Sequence, residues 1–282
     1  NAGTAVTSGS GSVTFDKTTP TVSSFTMSDT ALKSGDTSTV TLVFSEAVSG
    51  FANSDVTVVN GTLATMTSSD NITWTGTYTP TADVEDATNV LTLATSYTDT
   101  AGNAGPGATT ANFTIDTTAP TIIGTAIAAN NSTIAVTFSE AVYDTNGGSG
   151  ALKVSDFTVT ISGGTATVAS TPSSISISGN VYTLGLSLTG TPNGSETLTV
   201  VPSGVTAIYD AVGNAASTTQ SNNSVSLNDK AAPTLSSVGI ASDNTTTTLA
   251  KVDDVVTLTF TASETIGTPV VTFTSGSAAV TD

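Results

Sequence analysis

Three short motifs recur along the chain in fixed order, and each contributes an acid. The first is Asp116-Thr-Thr-Ala-Pro-Thr121, with further copies at Asp16-Lys-Thr-Thr-Pro-Thr21 and Asp229-Lys-Ala-Ala-Pro-Thr234. The second is an alternating apolar run closed by Ser-Glu. Val40, Leu42 and Phe44 precede Ser45-Glu46; Ile134, Val136 and Phe138 precede Ser139-Glu140; Val256, Leu258 and Phe260 precede Ser263-Glu264 after two extra residues. The third is Asp-x-x-Gly-Asn, present as Asp99-Thr-Ala-Gly-Asn103 and Asp210-Ala-Val-Gly-Asn214. Carboxylates and an asparagine carbonyl are hard oxygen donors, the kind Ca2+ gathers in sets of about six to eight at roughly 2.3–2.6 Å. Mg2+ suits such a set less, because it demands strict octahedral geometry and keeps its waters. The same residues are also ordinary turn formers, and Glu46 could instead pair with Lys17 or Lys33. Which role applies depends on whether the fold brings the three motifs together.

Composition removes several other chemistries. The 282 residues include 22 Asp plus Glu, 5 Lys plus Arg, no His and no Cys, for a net charge of −17. Phosphate binding needs a basic face, so nucleic acid is not an expected partner, and an anionic membrane surface is disfavoured for the same reason. No apolar run reaches the ~20 residues of a membrane span, so no insertion is expected of this segment. Without Cys there is no disulfide framework and no thiolate zinc site. Without His or Cys there is neither a Ser-His-Asp triad nor a thiol nucleophile, and no carboxylate pair is marked out for glycoside hydrolysis. No catalytic residue is assigned, and the chain is read as non-enzymatic.

The acids sit on elements of β type. Thr and Val fit a pleated, half-buried surface, while Lys, Glu and Arg are scarce, so almost no helix is expected. Alternation and turn signals predict strands at Thr21–Met27, Ser38–Ser45, Asp55–Val59, Leu63–Thr67, Ile72–Thr79, Asn89–Tyr97 and Thr109–Ile115. The order repeats with a longer middle at Ile122–Ile127, Thr133–Ser139, Phe157–Ile161, Ala166–Ala169, Ile175–Ser178, Tyr182–Leu188, Glu196–Val201 and Ser224–Leu227. Short strands with frequent turns are the immunoglobulin-like sandwich pattern. The fold class is therefore all-β, with tandem immunoglobulin-like sandwiches in a linear array. Residues 16–115 and 116–228 form two domains, and 229–282 the N-terminal part of another. Equal spacing separates Asn1 from Asp16 and Asn214 from Asp229, so residues 1–15 are expected to be the last strand of a preceding domain. The chain reads as a window on a longer array. The proline of each joint fixes φ and holds its neighbour extended, giving a semi-stiff connection.

Together, the Asp-Thr-Thr-Ala-Pro-Thr joint, the Phe-Ser-Glu-Ala-Val strand end and the Asp-x-Ala-Gly-Asn-Ala loop resemble bacterial immunoglobulin-like repeats of giant secreted adhesins and cell-surface proteins. Val136-Thr-Phe-Ser-Glu-Ala-Val142 and Ile208-Tyr-Asp-Ala-Val-Gly-Asn214 are similar to the repeat type of cyanobacterial swimming-motility surface proteins. The resemblance implies calcium at the joints and an extracellular, cell-surface location.

In such a sandwich the B–C and F–G loops lie at the pole where the chain enters. Ser-Glu closes strand B, Asp-x-x-Gly-Asn is the F–G loop, and the joint aspartate precedes strand A. Asp16, Glu46, Asp99 and Asn103 are thus expected to meet, as are Asp116, Glu140, Asp210 and Asn214, and likewise Asp229 and Glu264. The loop Asp83-Val-Glu-Asp86 at the far pole of the first domain is placed to add a ligand across the joint. Trp74 is expected in or at the edge of the core rather than as a sugar-stacking platform. Asn71, Asn112 and Asn193 open Asn-x-Ser/Thr triplets. The role read from this is a calcium-stiffened spacer between neighbouring repeats. The alternatives are a laterally self-associating sheath, surface-layer or fibre component, or a module binding extracellular glycans. Either alternative calls for an apolar or aromatic patch on an outer sheet face.

Overall fold

The structure is a computed structural model that describes residues 15–275 together with 278 and 279. All of the strand expected within residues 1–15 except Phe15 lies outside the described residues. The fold is all-β, built of immunoglobulin-like sandwiches, and among the described residues no helix is long and apolar enough to cross a membrane.

The first sandwich contains β1 (Val22–Met27), β2 (Ala31–Lys33), β3 (Ser38–Phe44), β4 (Val48–Ser49), β5 (Val56–Thr57), β6 (Gly61–Leu63), β7 (Thr73–Pro80), β8 (Glu85–Asn89), β9 (Thr92–Leu93), β10 (Thr98–Asp99), β11 (Ala108–Thr109) and β12 (Phe113–Asp116). One sheet runs β1-β3-β7-β6; β2-β12-β8 and β11-β9-β5 face it, and β4 pairs with β10. Alternation decides which residues point inward. On β3 Val40, Leu42 and Phe44 are buried, and they meet Leu32, Leu91, Leu93, Phe113 and Ile115 from the opposite side. Four edge or tilted aromatic contacts fill the core, among them Phe44 with Tyr97 at 4.7 Å between ring centroids and Tyr78 with Phe113 at 5.4 Å.

The second sandwich contains β13 (Ile122–Ile127), β14 (Thr133–Phe138), β15 (Phe157–Ser162), β16 (Thr167–Val168), β17 (Ile175–Ser178), β18 (Val181–Gly185), β19 (Leu188–Thr189), β20 (Thr197–Pro202) and β21 (Ser224–Ser226). Its sheets are β13-β14-β18-β17, β15-β20-β21 and the pair β16-β19. Ile134, Val136 and Phe138 pack on Phe157, Val159, Leu198 and Val200 in a core of their own. Beyond it, β22 (Leu235–Ser242) pairs with β23 (Val256–Ala262), and β24 (Thr274–Ser275) with β25 (Ala278–Ala279).

Several expected strands are corrected. Asn89–Tyr97 is not one strand. Its first residue ends β8, which pairs with β12, whereas β9 pairs with β5 and β11. The buried alternation of Leu91, Leu93 and Tyr97 continues across the break because only the hydrogen-bond partner changes, not the core they face. Tyr182–Leu188 divides in the same way into β18 and β19, which belong to different sheets. Asp55–Val59 shortens to β5, and the second edge strand is Gly61–Leu63 rather than Leu63–Thr67. The short strand β2 is an addition, and it pairs in parallel with β12.

Gly105 marks a tight approach. A Cβ there would stand 2.2 Å from the Tyr97 ring, whose hydroxyl donates to the Pro106 carbonyl at 2.8 Å. Gly124, in contrast, has open space where a Cβ would go. In urea unfolding, Gly105→Ala is expected to cost roughly 1–3 kcal/mol through overpacking. Gly124→Ala is expected to stay within about 0.5 kcal/mol of the parent.

Candidate metal centre

Each joint is assembled by the same few bonds. The joint aspartate turns its carboxylate back onto the chain: Thr18 N–H donates to Asp16 Oδ1, Thr118 N–H to Asp116 Oδ1 and Ala231 N–H to Asp229 Oδ1. The joint threonine then locks to the serine of Ser-Glu. Thr21, Thr121 and Thr234 donate their N–H to the hydroxyls of Ser45, Ser139 and Ser263 at 2.9, 3.0 and 2.9 Å. The serine N–H groups donate back to the threonine carbonyls. This reciprocal bracket holds each glutamate against its joint. The bracketing role of the serine is additional to the carboxylates expected from sequence, and its fixed place before each of these glutamates is the signal for it.

The Asp-x-x-Gly-Asn loops bring the third acid. β4 pairs Val48 with Asp99, and Tyr143 exchanges backbone hydrogen bonds with Tyr209, the residue before Asp210. Each loop closes on its own aspartate. Asp99 Oδ1 accepts the Ala101 and Asn103 N–H groups at 2.9 and 2.8 Å, and Asp210 Oδ1 accepts those of Val212, Gly213 and Asn214 at 3.0, 2.6 and 2.8 Å. Gly102 and Gly213 carry φ values of 96° and 106°, a backbone region that glycine enters without penalty. The loop aspartates are therefore turn formers, and each still keeps an Oδ2 with spare acceptor capacity.

The structure gathers Asp16, Glu46 and Asp99 so that one oxygen from each lies within 4.8 Å of the others, and it does the same for Asp116, Glu140 and Asp210. Glu264 lies close enough to Asp229 for the aspartate to raise its carboxyl. No third carboxylate joins that pair among the described residues. The lysines do not take up Glu46: Lys33 pairs with Asp36 at 3.5 Å, and Lys17 sits over the Phe15 ring. Of the loop reaching across the joint, Glu85 is the member beside the site. It is the register partner of Asp116, while Asp86 is engaged by Asn60 and Thr88.

The asparagines have a different task from the one expected. Their carbonyls were expected to act as ligands, yet each presents its NH2 group to the acids. Asn103 Nδ2 donates to Asp99 Oδ2 at 2.8 Å and to the Asp16 and Thr18 carbonyls. Asn214 Nδ2 donates to Asp210 Oδ2 at 2.7 Å, the Asp116 carbonyl at 2.9 Å and Asp116 Oδ1 at 3.2 Å. The reason is satisfiability. Carboxylate and carbonyl oxygens only accept, so the donor end of the amide must face them.

Electrostatics follows from this crowding. Burial first, then repulsion from Asp210, Asp116 and Glu85, pushes the Glu140 carboxyl up to about 7. Burial also holds Asp116 above its ordinary range, with Asp210 and Glu85 adding to it. Burial likewise raises Glu264, with Asp229 adding to it. Asp99 is held low, chiefly by the Asn103 amide. The donor set is all oxygen, which fits a hard cation. Two oxygens in one Ca2+ shell, each about 2.4 Å from the ion, stand up to about 4.8 Å apart, so the carboxylate spacing fits that ion.

Residues 16–115 match a family model described as a bacterial Ig-like domain. That segment holds the first sandwich with Asp16, Glu46, Asp99 and Asn103, and it ends one residue before Asp116. Comparison with curated proteins and with solved structures returned no match.

The raised Glu140 sets a pH dependence. Between about 4.5 and about 7 the folded, metal-free chain keeps a proton on Glu140 that the unfolded chain has released. Its contribution to stability is therefore fully present below that window and is lost as pH rises through it. Asp99, held low, acts in the opposite sense, losing stability as pH falls below its ordinary 3.8. Melting curves in chelator are expected to show Tm falling across the Glu140 window, and Glu140→Gln is expected to flatten that slope.

Proposed function

We propose that the chain is a run of non-catalytic, extracellular spacer modules from a long cell-surface or secreted adhesin-like protein, with calcium stiffening the joints. One observation carries this reading: three acids from motifs far apart in sequence meet at the joint, and the same set is built twice. When bound there, Ca2+ would neutralise the mutual repulsion of Asp116, Glu140 and Asp210. Asp16, Glu46 and Asp99 would hold the ion at the preceding joint, and Asp229 and Glu264 would begin a third site. The family match supports a surface-repeat module. The likeness of the second sandwich to motility-protein repeats belongs to this reading and rests on its motifs.

The outer face of β7 in the first sandwich favours a spacer over a glycan-binding face. Along β7 the outward residues Thr73, Thr75, Thr77 and Thr79 are exposed. Trp74 is half-buried with its ring edge-on to Phe51 at 4.8 Å, so its face is not an open platform.

Calcium is expected to raise Tm, by about 2.7 kcal/mol of stability once free ion reaches roughly a hundredfold of Kd, and chelator is expected to reverse the gain. Glu140→Gln should lose the share that comes from the second site. Small-angle scattering should show a longer, stiffer particle with calcium than with chelator. Identical melting and scattering in the two conditions would defeat the calcium reading.

A further inference from the structure

The covalent joint between the two sandwiches is accompanied by a second, non-covalent attachment. Asn214 belongs to the second sandwich and is 3 % exposed. Its NH2 end is taken up by Asp116 and Asp210, and its Oδ1 accepts the backbone N–H of Ser34 at 2.8 Å, a residue 180 positions away. Acceptors surround one end of the amide and a donor meets the other, so its orientation is fixed without ambiguity.

Ser34 begins the loop that follows β2. That loop is closed by Asp36, whose N–H donates to the Lys33 carbonyl at 3.1 Å and whose Oδ2 accepts the Lys33 N–H at 3.2 Å. β2 in turn lies parallel to β12, with Lys33 opposite Asp116. The first sandwich thus reaches the second through two neighbouring strands, one continuing as the chain and the other ending in the Ser34 N–H. A single covalent connection, however short, restrains bending and twisting at one point only. A second point of attachment beside it restrains both.

We propose that Asn214 is the positioning residue that couples cation occupancy of the second site to the orientation of the first sandwich. Resting on the calcium reading, the coupling works because Asn214 Nδ2 bonds Asp116 and Asp210, two of the three carboxylates a cation would draw together. The amide and Ser34 bonds are formed in the ion-free structure, against the mutual repulsion of the carboxylates. A cation that neutralised this repulsion would make both bonds more persistent. Linkage requires the converse, so freeing the Ser34 loop weakens cation binding at this site.

The test uses the absence of native cysteine. Spin labels on introduced cysteines at the exposed positions Thr62 and Ser176 report the distance between sandwiches by double electron–electron resonance, and calorimetry on the same samples reports calcium binding. Calcium is expected to narrow the parent's distance distribution. Asn214→Ala, and independently Ser34→Pro, which deletes the donor and leaves the second sandwich untouched, are expected to bind calcium more weakly and to lose the narrowing even at saturating calcium. Asn103→Ala is expected to keep it. A narrow, parent-like distribution in calcium-bound Ser34→Pro would overturn the coupling. No calcium heat in the parent would overturn the calcium reading itself, and the coupling with it.

Discussion

Asp116 is part of two structures at once, and the arrangement of the joint depends on this. Its backbone ends the central strand of one sheet of the first sandwich, in register with Lys33 on one side and Glu85 on the other. Its carboxylate lies among the acids of the second. The next residue still belongs to the first sandwich, since Thr117 is buried and its hydroxyl donates to the Thr81 carbonyl at 2.7 Å. Thr121 is already bracketed to Ser139. Only Thr118, Ala119 and the buried Pro120 lie between, and Thr118 is tied back to Asp116. Such a connection has little freedom left to lose, so ordering it costs less entropy than ordering a flexible linker.

That economy of linker brings an electrostatic cost. Three carboxylates in one corner, one of them fully buried, repel by roughly 1 kcal/mol per pair at ~4 Å even in water, and by more where solvent is thin. The fold offsets part of this locally. Backbone N–H groups of the Asp-x-x-Gly-Asn loop converge on one oxygen, and the asparagine NH2 serves another. Glu140 receives no such help and is the acid most strongly raised. The loop aspartates are thus organised by the protein itself, while the glutamate lacks a counter-charge. The acids of a cluster are thus unequal: Asp99 and Asp210 each close a turn in their own cluster, whereas Glu140 has no structural hydrogen bond to account for its position.

Much of this was legible in the sequence because it is encoded locally. Buried alternation in Val40-Thr-Leu-Val-Phe44 and Ile134-Ala-Val-Thr-Phe138 announced the central strands, and sandwich wiring then placed three motifs at one pole. What escaped is not local. Ala31-Leu-Lys33 is too short to signal a strand and becomes one only by pairing with β12, more than 80 residues later. The Ser34 donor is a backbone group, which no side-chain pattern reveals. The orientation of Asn103 and Asn214 does not follow from sequence, because an amide carries both a donor and an acceptor end, and only the neighbours decide which end faces the acids. The break after Asn89 was hidden since alternation records burial, not the identity of the hydrogen-bonding partner.

The parallel pairing of β2 with β12 has a mechanical consequence. A pull on the chain beyond Asp116 acts along the axis of β12. The matched pairs Thr114 with Ala31, Ile115 with Leu32 and Asp116 with Lys33 then resist side by side, in shear. Bonds loaded together fail together, at a higher force than bonds peeled apart one after another. A module wired in this way behaves as a shackle under tension, and an optical-trap trace with one abrupt rip, rather than gradual lengthening, would be its signature.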